Sequence, residues 1–461
     1  MALRRRVVAT CSVLGASAIV WILSSATWTA SPSAYFDRIS NYEPSVANAS
    51  TSQAVEVEVE VDPFDSGYFV RGPPTPKFRD NLLPDVQYIT SWISAGWTND
   101  VMTYINLIYL AMLTNRVPIV PAFTPSHIGS ATPPIPFGEV FDVPRLRKSM
   151  ARPLLEWHEV KNSTSKEMED LGCWNVWESQ QYNEKSPRYI TTSDRLALDI
   201  SYTKTPSWIK LIPRHRHDRY ASFSALATFG FPESRIENLV EPLPSKHRHR
   251  KLPPDEKLLC YDYLYYVCAQ QPNEFEYDYS PAWLFVGQHM HWTKELQDLA
   301  DLYVRRSFEI DHQPEFETPP FIAIHARRGD FLTAMCNGVP VDECAAPISA
   351  FVRRVDEVKE EILMSKGIDI KHVIMTSDEK DEKWWSDIAA LGWYRIDSSD
   401  IVETKGKWYP LLIDAVIQSA GVGFVGTDRS TMTTIARRRV RSWSGGPGRA
   451  VRWGKKGIDD H

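Results

Sequence analysis

The chain carries no excess of positive charge: 52 Lys and Arg stand against 58 Asp and Glu, a formal net charge of -6. Holding nucleic acid by its phosphates needs a basic surface, so a nucleic-acid partner is not indicated. Cysteine is scarce, with 6 residues in 461, and no spacing among them reads as a zinc site. Cys11 falls in an apolar N-terminal run, which leaves Cys173, Cys260, Cys268, Cys336 and Cys344. An oxidising compartment permits pairs such as Cys260–Cys268 and Cys336–Cys344, with one thiol left over.

What is present suffices for about two domains plus extensions. Hydrophobic residues make up 43% and charged residues 24%, as in a globular protein. The 16 Trp suit aromatic walls of sugar pockets, although core packing accounts for most of them. Near the N-terminus, Arg4, Arg5 and Arg6 precede an uncharged run, residues 7–28. At about 1.5 Å per residue this run is long enough to cross a bilayer core of roughly 30 Å. The arginines favour a cytosolic tail of residues 1–6 and a lumenal body, a single-pass type II arrangement in the ER or Golgi membrane. A cleaved signal peptide with a small-residue exit at Ala30 or Ala34 is the alternative. Residues 29–75, rich in Ser, Ala, Pro and Asn, read as a solvated stem. Asn48 and Asn162 head Asn-x-Ser/Thr triplets, the N-glycosylation pattern of a lumenal chain.

From residue 76 the pattern becomes α/β. Tyr88–Ser94 reads as a strand, 95–100 as a Gly-bearing turn, and Val101–Leu113 as a helix apolar nearly all round and therefore buried. Val117–Val120 then completes a βαβ unit. Residues 122–315 show no clear period. They include the basic clusters 214–219 and 246–251, which read as solvated loops or as a site for an acidic partner. From Pro319 a second alternation begins, with strands at Phe321–His325, His372–Met375, Trp393–Ile396 and Gly423–Val425. The helix between the first two recurs in Ile348, Phe351, Val352, Val355, Val358, Ile362 and Leu363 and stops at Gly367. The expected architecture is two alternating α/β domains, 76–315 and 316–461, and ligands of open α/β sheets sit at the carboxyl ends of the strands.

Four motifs fall at such ends. The first delivers His325, Arg327 and Arg328 from a buried strand into the loop Gly329-Asp330. Arginine there suits bidentate contact with phosphate, or a structural pair with a carboxylate. The second is Gly421-Val-Gly423-Phe-Val-Gly426-Thr427-Asp428-Arg429-Ser430-Thr431. Its glycines follow a helix and embrace the strand, which is the wrong context for a dinucleotide fingerprint. Thr427, Ser430 and Thr431 instead sit where a strand yields to a helix N-terminus, a place suited to phosphate; Ser430 as a plain N-cap is the alternative. The third is Ser377-Asp378-Glu379, with Asp378 as a ligand of guanine or ribose, or as the cap of the next helix. The fourth is Gly96-Trp97-Thr98-Asn99, with Asn99 facing the same cleft or capping its helix.

His-x-Arg-Arg-Gly-Asp after a strand, Gly-Thr-x-x-Ser-Thr downstream and Gly-x-x-Asn upstream resemble, in this order, the GDP-fucose protein O-fucosyltransferases and the related α1,6-fucosyltransferases. The resemblance covers residues 85–121 and 319–440. It implies a GT-B fold, two Rossmann-like domains facing a cleft, and an inverting transfer of fucose from GDP-β-L-fucose, without a metal or other cofactor, to a Ser or Thr hydroxyl of a secretory protein. It implies that Arg327 stabilises the departing GDP, with His325, Arg328, Asp378, Thr427, Ser430, Thr431, Gly96 and Asn99 around the donor. The absence of Asp-x-Asp agrees with a metal-free mechanism. One departure matters: some members place a Glu just before the first-motif Gly, where this chain has Ala95. Asp100 and Asp330 are the nearby carboxylates for a general base. Transfer to a glycan, or sugar-nucleotide binding without transfer, are the competing expectations.

Overall fold

Short buried strands alternating with helices build two separate parallel sheets, one from each half of the described chain. The computed structural model of the chain describes residues 62–310, 317–336 and 338–460. The run 7–28, the arginines before it, Asn48, Cys11 and the stem up to residue 61 lie outside those residues. Among the described residues no helix is long and apolar enough to cross a membrane.

The first sheet grows from β1 (Tyr88–Ser91), helix α1 (Trp97–Thr114) and β2 (Val117–Val120). It adds β3 (Leu155–Glu156), β4 (Glu169–Asn175) and β5 (Leu198–Lys204). A two-stranded pair, β6 (Ala221–Ser222) with β8 (Val267–Cys268), lies apart, and β7 (Leu258–Tyr261) enters the main sheet beside β1. The order is β3-β2-β1-β7-β4-β5, with all pairs parallel. Twelve of the residues of α1 are buried, Val101, Tyr104, Leu107 and Ile108 among them. The helix stops at Asn115, which takes the left-handed conformation at φ 50°.

The second sheet follows helix α2 (Lys294–Ser307). It contains β9 (Phe321–Ala326), β10 (His372–Ser377), β11 (Tyr394–Arg395), β12 (Gly423–Thr427) and β13 (Gly448–Val451). Its helices are α3 (Gly329–Met335), α4 (Ile348–Lys366), α5 (Glu382–Ala390), α6 (Tyr409–Ala420) and α7 (Thr431–Arg439). The order is β11-β10-β9-β12-β13, again parallel throughout. Of the glycine series, Gly421 caps the end of α6 while Gly423 and Gly426 lie in β12, so the glycines follow a helix and embrace the strand as expected.

One apolar core runs through both halves, from Ile89 and Tyr104 through Trp283 and Trp292 to Leu412, Val416 and Val440. Its buried indoles are tied across it: Trp292 Nε1 donates to Ser419 Oγ at 2.7 Å and Trp283 Nε1 to Ser442 Oγ at 2.9 Å. Arg439 lies at the same seam with its guanidinium 4.1 Å from the centre of the Trp292 ring, and burial lowers it to about 9.

Two expectations need correction. The disulfides are Cys173–Cys260 and Cys336–Cys344, and Cys268 is a buried free thiol. Cys260 meets Cys173 because β4 and β7 are neighbours in register Trp174↔Tyr261, whereas Cys268 belongs to the separate two-stranded sheet. The stem also ends earlier than residue 75, since the compact body begins at Phe64. Phe69 and Val70 are buried, and Tyr88 Oη donates to the Phe69 carbonyl at 2.7 Å. Of the basic clusters, 246–251 is neutralised at the surface: Lys246 pairs with Asp194, and Arg248 and Arg250 with Asp170. Asn162 is exposed in a turn, its Oδ1 accepting the Thr164 N–H at 2.9 Å.

Candidate active site

The carboxyl ends of β1, β9 and β12 open onto one cleft of about 200 Å³ between the two sheets. Its lining from the first half is Gly96, Trp97, Thr98 and Asn99 at the start of α1, with Ser126, His127 and Ile128 from the loop after β2. The second half supplies His325 at the end of β9 and Arg327 after it, Trp408 just before α6 and Leu411 on it, and Ser430, Thr431 and Met432 at the start of α7.

The N-termini of α1 and α7 therefore face each other across the cleft. Thr98 Oγ1 and Thr431 Oγ1 lie 2.7 Å apart and share a hydrogen bond. Gly96 and Ser430 are the two N-caps, and neither spends a side chain on capping. Ser430 thus keeps its hydroxyl at the cleft, contrary to the plain-cap alternative, and Asn99 lies inside the first turn of α1. Free backbone N–H groups and the positive ends of two helix dipoles converge on one space, an arrangement suited to an anion.

Arg327 stands at the edge of that space. Its backbone N–H donates to Thr427 Oγ1 at 2.9 Å, and its Nη1 binds Asp378 Oδ2 at 2.5 Å. Arg327 lines the cleft, and the two side chains are 31% and 28% exposed, so the pair is not sealed. Asp378 Oδ1 also accepts the backbone N–H groups of Arg328 at 2.7 Å and Gly329 at 3.2 Å. Any side chain at Gly329 would press on this carboxylate, since its Cβ would lie 2.6 Å from Asp378 Oδ2. Asp378 is thus a clasp on the loop after β9, and the next helix is capped by Asp381.

His325 lines the cleft from a buried position, its Nδ1 3.1 Å from Thr433 Oγ1. Burial, then the nearby Arg327 charge, lowers it to about 3, so it is neutral at physiological pH with Nε2 left for the cleft. Thr427 is buried and its hydroxyl serves the Arg327 backbone. Arg328 turns from the cleft to Glu379 at 2.5 Å and lies over the Trp384 ring. Asp100 is fully buried, with Oδ1 accepting the Ala95 N–H at 3.1 Å, and desolvation raises its carboxyl well above the usual range. It does not reach the cleft. The side chain of Asp330 lies outside the described residues.

Sequence reading missed His127, Ser126, Trp408 and Leu411, which periodicity could not single out. It also missed Asp414, one turn beyond Leu411 on α6, where burial pushes the carboxyl up to about 7. Gln418, a further turn along that face, donates from Nε2 to Thr376 Oγ1 at 2.9 Å.

Fold and cleft together define an α/β protein of two facing parallel sheets with an anion-receptive seam. Residues 88–442 match the family model described as GDP-fucose protein O-fucosyltransferase. The match spans most of the chain: it belongs to that family and is a fucosyltransferase, a glycosyltransferase. No curated protein matches it by sequence. Among solved structures it is similar to POFUT1 in complex with GDP-fucose, at 13% identity and a TM-score of 0.47, covering 80% of this chain and 98% of that one. Similarity to fucosyltransferase NodZ from Bradyrhizobium is at 11% identity and a TM-score of 0.39, covering 77% and 93%.

Proposed function

We propose that the cleft transfers fucose from GDP-β-L-fucose to a Ser or Thr hydroxyl of a secretory-pathway protein, with inversion, on a GT-B scaffold and without a metal. One observation carries this reading: Arg327 is held, still open to the cleft, beside two facing helix N-termini whose Thr98 and Thr431 hydroxyls touch. The diphosphate of GDP lies in that space. Leaving-group charge grows on it as the bond to C1 breaks, and fixed donors aimed there stabilise the transition state more than the ground state. The Asp378 clasp and the Thr427 hydroxyl keep Arg327 aimed. Neutral His325 offers Nε2 to the donor, while Ser430 and Asn99 complete the walls.

Two disulfides support a lumenal body, because such bonds persist in oxidising compartments. In this reading residues 7–28 anchor the chain in the ER or Golgi membrane. The experiment is turnover of GDP-fucose by the purified protein with EDTA present, on Ser/Thr peptides and on N-glycans. Arg327→Ala should lower turnover about 10²–10³-fold with a melting temperature close to that of the parent. Full turnover in that variant removes Arg327 from the chemistry, and transfer to glycans alone replaces the acceptor.

A further inference from the structure

We propose that His127 is the general base of the reaction, taking the proton of the acceptor hydroxyl as that oxygen attacks C1 of the sugar. This role rests on the fucosyl-transfer reading above. The position that a Glu would occupy before Gly96 holds Ala95, and the buried Asp100 beneath it does not line the cleft. Among the described lining residues the titratable groups are His127, His325 and Arg327. Arginine is a fixed cation. His325 is engaged by Thr433 and resists protonation down to about 3. His127 alone is an exposed imidazole facing the same space.

Its placement is built rather than incidental. Ser126 Oγ donates to the Ala95 carbonyl at 2.5 Å, which ties the loop to the start of α1. Phe123 and Ile135 exchange backbone hydrogen bonds at 2.8 and 3.1 Å, and Trp408 Nε1 donates to the Pro133 carbonyl at 2.8 Å. The loop is therefore fastened to both halves. The ring of His127 lies 3.3 Å from where a Cβ at Gly96 would stand, so the glycine leaves room for the imidazole. Nearby charges are Arg327 with Asp378 behind it, and Lys407, whose Nζ is 3.8 Å from the Cβ position of Gly129 on the same loop.

The step balances without a further reagent. The acceptor oxygen forms a bond to C1, and the bond from C1 to the β-phosphate oxygen breaks with its electron pair leaving on GDP. The hydroxyl proton passes to an imidazole nitrogen of His127 and then to solvent. The test compares the parent with His127→Ala and His127→Gln, using water and azide as alternative acceptors for GDP-fucose, with GDP affinity measured by calorimetry. Azide carries no proton to remove. Loss of the base should cut hydrolysis about 10²–10⁴-fold while leaving azide turnover and GDP affinity unchanged. Undiminished hydrolysis overturns the role, as does an equal fall with water and azide, which would make His127 a donor-positioning group. A parent protein that binds GDP and turns over no GDP-fucose would instead overturn the reading beneath it.

Discussion

His325 shows how one buried residue couples the site to stability. An imidazole in water titrates near 6.5, but here burial and the Arg327 charge hold it neutral down to about 3. Between those values the unfolded chain takes up a proton that the folded chain refuses. Folding stability therefore falls as pH drops through about 6.5 toward 3, and this contribution is full above the window. His325→Gln, which keeps a polar partner for Thr433 and does not titrate, should flatten that dependence. Urea unfolding of parent and variant at stepped pH reads the difference, since other titrating groups are common to both. Parallel pH curves would mean that His325 takes up its proton equally in the folded and unfolded chains. The residue was legible as a site group from its place after an apolar strand. Its neutrality was not, because neither the depth of burial nor the direction of Arg327 is local information. Asp378 makes the same point: a carboxylate at a strand end suggested a ligand contact, and the structure spends it on the loop of its neighbouring strand.

Elements were readable where burial imposes a pattern. The strands β9, β10 and β12 are runs of apolar residues covered on both faces, and α4 keeps its 3.6-residue period up to Gly367, whose φ of 68° ends it. The middle of the chain was opaque for physical reasons. β3, β6 and β8 have two residues each, too few for any period, and the loop holding His127 is crowded with Pro121, Pro125, Pro133, Pro134 and Pro136. Cys173 and Cys260 are 87 residues apart, so their pairing depended on knowing that β4 and β7 adjoin. At this scale the facing starts of α1 and α7 make a testable unit. If the Thr98 and Thr431 hydroxyls turn from each other to a diphosphate, each valine substitution should weaken GDP binding about tenfold, the worth of one hydrogen bond to a charged group. The double variant should lose less than the sum of the two, since each hydroxyl positions the other. Calorimetric titration with GDP measures both. Unchanged affinity would reduce the pair to a strut between the halves.

Whether those halves behave as two domains or one is decided at their seam. Two sheets on separate stretches of chain suggest two folding units, yet the core is continuous between them. Trp292 contacts Phe141 and Trp97 on one side, donates to Ser419 of α6 on the other, and carries the Arg439 guanidinium on its face. Glu276 and Asp278 from the first half receive Thr434, Arg437 and Arg438 of α7. Opening this seam would expose large aromatic surfaces and strip partners from buried polar groups, so neither half should survive the loss of the other. The purified protein is therefore expected to unfold in one calorimetric transition with equal calorimetric and van't Hoff enthalpies. Trp292→Ala should lower that single transition by about 3–5 kcal/mol. GDP at about 100 times its Kd should raise the whole transition by about 2.7 kcal/mol, because binding to one half stabilises everything that melts with it. Two resolved transitions, with GDP shifting only one, would show the halves to be independent and the cleft to be a hinge; a single shifted transition makes it a fixed site into which donor and acceptor must fit.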